Sequence, residues 1–189
     1  NKFKTWEKVE LTVAEVMVEK GIVPKKSYEV IKKKSKFKVD RILEIEKTTR
    51  HDVIAFLTNL SENIGPDARY LHLGMTSSDL LDTSLALQCK EAGDIILGKL
   101  IKFRDVLKKN AKKYKKTFQI GRSHGIHAEP ITFGLKNALW CEEINRNIVR
   151  WKAALKNIAV GQISGAVGTY QHINPDIEKS VCKKLDLEP

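Results

Sequence analysis

The sequence predicts an all-α fold in which a domain of short helices is followed by a bundle of long ones. Three observations predict it. Apolar residues recur at spacings of three and four, the first third shows no two-residue alternation of strand length, and two later segments hold the helical period far beyond an ordinary helix. Composition agrees: 189 residues carry 34 Lys plus Arg against 23 Asp plus Glu, a formal charge of +11, and 42% are hydrophobic. This is a globular balance, too apolar for a disordered basic tail.

In the N-terminal third, Trp6, Val9, Val13 and Val16 or Met17 form one helical face, with Thr5 as a candidate N-cap and Gly21 as the stop. Pro24 opens a second segment through Ile31, and Val39 to Lys47 makes a third. A fourth runs from His51 to Ile64 with Ile54, Leu57, Leu60 or Ser61, and Ile64 on one side, ended by Gly65-Pro66.

From Ser78 to about Lys116 the pattern changes. Leu85, Cys89, Ala92, Ile96, Leu100, Phe103, Leu107, Ala111 and Tyr114 follow an eleven-residue pattern that keeps one stripe along a nearly straight helix. At about 1.5 Å per residue it would be roughly 55 Å long, longer than a compact globule of this size, so it is expected to extend into an elongated bundle. A second long helix follows Pro130, with Asn137, Cys141, Ile144, Ile148, Trp151, Leu155 and Ile158 forming a seven-residue seam. Two helices cannot bury broad stripes on each other alone, so helices from the rest of a longer protein or from other subunits are expected. The expected domains are 1–76, helical and N-terminal, and 77–189, the first part of a long-helix bundle.

Several function classes lose support. No window approaches the roughly 20 apolar residues of a bilayer span, and Asn1 to Lys8 do not build a secretory core, so a soluble, non-exported protein is expected. The three cysteines, Cys89, Cys141 and Cys182, are odd in number and too widely spaced for a zinc site or a disulfide framework. The lysine-rich stretches Lys25 to Lys38 and Lys108 to Lys116 are spread around helical faces and lack the Arg-rich character of a base-reading surface; solvated helix faces are favoured over a nucleic-acid surface. The chain lacks an initiator Met and stops at Lys184 to Pro189 just after a helix, which reads as a fragment of a longer polypeptide.

All five histidines fall at helix ends or in loops. His51 lies between Arg50 and Asp52, His72 precedes Thr76-Ser77-Ser78-Asp79, and His124 sits in GRSHGIHAEP between Gly121 and Gly125. The Thr76–Asp79 run can cap the long helix, but capping uses only one or two of the four; the surplus hydroxyls and amides suit an anion. His124 and His127 lack the further ligands of a metal site. In Gly161 to Asn174, GQISGAVGTYQHIN, the glycine spacing is neither a dinucleotide fingerprint nor a phosphate loop. Close backbone packing and amides facing an anion both remain open readings.

TTRHDV (Thr48 to Val53), HLGMTSSDLLDT (His72 to Thr83), GRSHGIHAEPITFGLK (Gly121 to Lys136) and GQISGAVGTYQHINP (Gly161 to Pro175) together resemble the adenylosuccinate lyase family of the fumarase/aspartase superfamily, in order and over nearly the whole chain. The resemblance implies a carbon–nitrogen lyase of purine biosynthesis, cytoplasmic and without cofactor or metal. It would release fumarate by β-elimination from adenylosuccinate and from succinyl-aminoimidazole carboxamide ribotide. Such a reaction needs a base for a carbon-bound proton, donors for the carboxylate-stabilised carbanion and an acid for the departing nitrogen. By resemblance His124 is the acid and His72 a second active-site histidine near the nucleotide phosphate or assisting the acid. Arg50, His51 and Asp52 belong to the substrate pocket, with His51 and Asp52 at the base or imidazole; Thr76, Ser77 and Ser123 donate to the succinyl carboxylates. Preorganised donors of that kind are each worth on the order of 10²–10³ in rate.

The family's base is a serine in a Ser-Ser-x-Met-Pro-x-Lys-x-Asn loop, a string that 1–189 does not contain, so this stretch alone is expected to be inactive. The resemblance further implies a homotetramer with active sites shared between subunits. The alternatives are another superfamily lyase or cycloisomerase, of argininosuccinate or carboxymuconate type, and a basic helical nucleic-acid-binding scaffold.

Overall fold

A computed structural model describes residues 1–189 as seven α-helices and one small sheet. The order is α1 (Lys2–Glu19), α2 (Lys25–Lys34), α3 (Val39–Thr49), α4 (Asp52–Ile64), a 3-10 turn (Pro66–Tyr70), α5 (Ser77–Lys113), β1 (Phe118–Ser123), β2 (Ile126–Thr132), α6 (Phe133–Ile158) and α7 (Pro175–Leu185). The fold is all-α, as the helical periods predict. No helix is long and apolar enough to cross a membrane. By internal contacts the chain groups into two units, Asn1–Cys89 with Ala159–Pro189, and Lys90–Ile158.

In the first unit, α1 buries Trp6, Val9, Val13, Val16 and Met17, the face its period predicts. The helix starts earlier than expected. Asn1 is its N-cap position, and Thr5 lies inside the first turn, buried, with its hydroxyl donating to the Asn1 carbonyl at 3.3 Å. Gly21, at φ +73°, follows its end in the left-handed conformation that a side chain resists. The rings of Phe3, Trp6, Phe37 and Phe56 pack at centroid separations of 5.3 to 6.0 Å, joining α1, α4 and the chain between α2 and α3. Burial of one such ring contributes about 1.5–3 kcal/mol.

The inward face of α4 is only partly the predicted one, sharing Leu60 and Ile64 with it. Val53, Phe56, Leu60 and Ile64 are buried, whereas Ile54 is exposed. Both sets have helical spacing, and the aromatic partners of Phe56 decide between them. At the other end of the chain α7 packs on α1, with Ile177, Val181, Cys182 and Leu185 buried and Lys184 bridging Glu15 and Glu19 at 3.0 and 2.9 Å.

In the second unit, α6 runs along the 90–113 part of α5. Trp151 Nε1 donates to the Gly93 carbonyl at 2.9 Å, and Cys141 approaches the Arg104 carbonyl at 3.8 Å. A Cβ on Gly134 would lie 2.5 Å from Lys115 Cα and 2.7 Å from the Ala111 carbonyl oxygen. The predicted α6 seam holds up to its last position, with Asn137, Cys141 and Ile148 buried and Ile158 exposed. The eleven-residue stripe of α5 holds only in part, at Leu100, Leu107, Ala111 and Tyr114. Ile96 and Phe103 are exposed, and the positions turned inward are Gly93, Leu97, Leu100, Arg104, Leu107, Ala111 and Tyr114, a seven-residue repeat matching that of α6. The helix carries two apolar faces, and periodicity alone picked a line between them.

The segment around His124, expected to be a helix end or loop, is mostly a β-hairpin. Strands β1 and β2 pair antiparallel from Phe118↔Thr132 to Ser123↔Ile126, with an irregularity between Ile120 and Arg122. The bulge falls on Gly121, where a Cβ would lie 2.5 Å from the Glu129 carbonyl oxygen.

Candidate active site

The start of α5 is built from the backbone outward. Asp79 is fully buried and reaches back to accept the Thr76 N–H at 2.9 Å, the carboxylate half of a capping box, while its own N–H donates to the Thr76 carbonyl at 3.1 Å. The same carboxylate accepts the Ser164 and Gly165 N–H groups, each at 3.0 Å. One turn on, Thr83 Oγ1 donates to the Gln162 carbonyl at 2.8 Å and accepts the Gln162 N–H at 2.9 Å. The remaining amide of this run, Ile163 N–H, donates to buried Glu178 of α7 at 2.8 Å; the other oxygen of Glu178 accepts the Tyr170 hydroxyl at 2.6 Å. Four consecutive amides, 162 to 165, are thus taken by side chains. Of the two readings of this glycine-rich stretch, close packing holds for these residues. A Cβ on Gly161 would meet Cys182 Sγ at 2.7 Å, and one on Gly74 the His172 carbonyl oxygen at 2.9 Å.

These contacts perturb two groups. The hydrogen bond to Glu178, then burial, raises the Tyr170 hydroxyl above its ordinary 10.0. Burial, then the charge of Glu178, pushes the Cys182 thiol up to about 11.

Against this frame lie the predicted residues of the first unit. His51 is the N-cap of α4; its Nδ1 accepts the Ile54 N–H at 3.5 Å, and its Nε2 lies 3.4 Å from Ser77 Oγ. With Nδ1 turned to the Ile54 N–H, Nε2 is the ring atom that faces Ser77. His51 and Ser77, 26 residues apart, are therefore brought together. Arg50, at φ +53°, ends α3 with its side chain exposed. Asp52 accepts the Val53 N–H at 2.8 Å and pairs with Lys2 at 3.2 Å. Thr76 is half-buried immediately before Ser77. His72, at φ +57°, is held through both its backbone N–H and its Nδ1 by Glu10 of α1, at 2.9 and 2.6 Å.

Ser123 and His124 lie in the second unit, at the hairpin tip. His124 and Gly125 form a two-residue loop with φ of +51° and +75°, the type I′ pattern in which both central residues are left-handed. Asn-Gly is the usual solution; here an exposed histidine takes the first position. No group of three His, Cys, Asp or Glu side chains converges as a metal site requires.

Sequence reasoning missed Glu10, Glu178 and Tyr170. The signal for the two carboxylates was present: each falls on a buried helical face, Glu10 between Trp6 and Val13, Glu178 between Ile177 and Val181. A carboxylate in such a stripe must be answered by donors.

Comparison with known proteins bears on what these groups do. Residues 2–188 match a family described as lyase. The chain belongs to this lyase family. Over 188 residues it is 49% identical to the adenylosuccinate lyase of Bacillus subtilis (strain 168) and 52% identical to that of Synechocystis sp. (strain ATCC 27184 / PCC 6803 / Kazusa). In each comparison all of this chain is covered but only 44% of the relative, so the chain spans less than half of their length. The crystal structure of a fumarate lyase from Mesorhizobium sp. BNC1 has a similar fold, with a TM-score of 0.92 and 25% identity over 99% of this chain and 46% of that one.

Proposed function

We propose that the protein to which these residues belong is an adenylosuccinate lyase, eliminating fumarate from adenylosuccinate and from succinyl-aminoimidazole carboxamide ribotide in purine biosynthesis. The observation that carries this reading is the 49% and 52% identity to adenylosuccinate lyases over the whole chain, spanning all four motifs that hold the candidate residues.

In this reading the carbon–nitrogen bond breaks with its electron pair going to nitrogen, which takes a proton from His124. The carbon-bound proton goes to a base outside residues 1–189, and the carbanion is stabilised by its carboxylate. Thr76, Ser77 and Ser123 donate to the succinyl carboxylates, while Arg50, His51 and Asp52 line the substrate pocket. When His51 carries a proton on Nε2, Ser77 accepts it on one side and its hydroxyl proton is free for a carboxylate on the other, which supports the donor role. His72 is the second active-site histidine. The left-handed His124 also fits: a turn position that favours Asn, occupied by His, points to a demand other than folding.

The reading extends to assembly. Ile95, Val106, Leu135, Leu139 and Val149 are exposed apolar residues on α5 and α6, which suits a homotetramer built through long helices, with active sites shared between subunits. The domains proposed are 1–76 and 77–189, the latter the first part of a central bundle, and the compartment is the cytoplasm.

The test is fumarate release, followed by ultraviolet absorbance, from adenylosuccinate and from argininosuccinate by the complete protein. Release from the first alone is expected. Release only from argininosuccinate would move the protein to another branch, and residues 1–189 alone should give none.

A further inference from the structure

We propose that Glu10 is the positioning residue of His72: its carboxylate fixes the imidazole proton on Nδ1 and so reserves Nε2 for the ligand. The inference deepens the reading above and rests on it for the role of His72.

Glu10 stands on the inward face of α1 with Trp6, Val13 and Met17, and is only 1% exposed. A carboxylate there loses its hydration and is tolerated only when its oxygens are answered. Both are answered by one residue, 62 positions along the chain: Oε2 accepts the His72 backbone N–H at 2.9 Å and Oε1 faces Nδ1 at 2.6 Å. An ionised carboxylate only accepts, so Nδ1 must carry a hydrogen. Nε2 is then the remaining polar atom of the ring, a lone pair when the imidazole is neutral and a donor when it is charged, and the side chain stays 18% exposed.

The two-point grip also holds the backbone. His72 is left-handed at φ +57°, a conformation a non-glycine residue adopts only where its surroundings over-determine it. Gly74, the Thr76 turn and Ser77 follow directly, so the grip on His72 orients the approach to α5 as well.

The arrangement gives Glu10→Gln an unusual consequence. The His72 N–H can only donate, so the amide oxygen must face it, and the amide NH₂ is left facing Nδ1. The ring is then forced to accept at Nδ1 and to carry its proton on Nε2. A variant of nearly the same shape thus inverts the tautomer, and an Nε2 that could both take and give a proton becomes a fixed donor.

The experiment uses the complete protein with ¹⁵N-labelled histidine, the His72 signals being assigned by their loss in His72→Gln. The wild-type long-range ¹H–¹⁵N spectrum should show the proton on Nδ1, and Glu10→Gln should move it to Nε2. In the same samples kcat for adenylosuccinate should fall by at least about 10²-fold with KM held within about threefold. In a His72→Gln background, Glu10→Gln should cost nothing further, whereas a merely structural role would give additive losses. A wild-type proton on Nε2, a Glu10→Gln spectrum still protonated on Nδ1 only, or additive losses would overturn the proposal. Should Glu10→Gln fail to fold, the wild-type spectrum alone still decides the tautomer. A wild-type proton on Nδ1 in a protein that releases no fumarate would sink the lyase reading and leave the Glu10 assignment supported.

Discussion

At the start of α5, His72 and the Thr76–Asp79 turn are fixed by side chains and amides from distant parts of the chain, whereas His124 at the hairpin tip is set by the backbone of a two-residue turn. The first arrangement places buried Glu10, Asp79 and Glu178 on backbone amides and on an imidazole. The second uses left-handed φ values at His124 and Gly125 and leaves the imidazole exposed. Polar frameworks couple precision to stability, because each carboxylate is costly once its donors are lost. A turn uncouples them: its side chain can be exchanged without unfolding anything.

That contrast can be broken most directly at the hairpin. In the complete protein, His124→Gln should lower turnover by about 10²–10⁴-fold while leaving the urea midpoint nearly unchanged. Turnover close to normal would remove the acid role proposed for His124. The opposite pattern is expected at Asp79. Asp79→Ala strands the Thr76, Ser164 and Gly165 amides and should cost about 3–5 kcal/mol in urea unfolding. A loss below about 1 kcal/mol would mean that those amides find other partners.

The hairpin unit has its own rigid point, and it is steric. Gly134→Ala pushes a methyl group against the Lys115 backbone and should cost about 1–3 kcal/mol by denaturant titration. An unchanged midpoint would show that the β2–α6 junction gives way.

The smallest effect concerns alkaline pH and belongs to the first unit. Below pH 9 folded and unfolded chains both keep the Cys182 proton; from there to about 11 only the unfolded chain loses it, so stability falls across that window. Tyr170, raised by its bond to Glu178, acts in the same direction. Urea midpoints measured through this range should decline less steeply in Cys182→Ala. Parallel curves would assign the decline to other groups.

Much of the fold was legible in residue spacing. The α1 face at Trp6, Val9 and Val13 and the α6 seam at Asn137, Cys141 and Ile148 were readable because each helix presents one apolar stripe. On α4 and α5 apolar residues occupy more than one face. There the choice between Ile54 and Phe56, or between Ile96 and Leu97, depends on partners that periodicity does not name. The hairpin was missed because Gly121 bulges β1, and because the turn carries His-Gly where Asn-Gly is the familiar signal.

By itself the sequence determined the helical class, the long rods and the residue types of the candidate site. Hydrophobic period and capping chemistry are local properties, written within a few positions of where they act. Only the tertiary structure decided that Glu10 meets His72, that Ser77 meets His51, and that Asp79 and Glu178 hold the 162–165 segment. These pairings join residues from 15 to 86 positions apart. Their energy comes from answering a buried charge with whichever donor the packed core brings to it, and no local pattern records that partner.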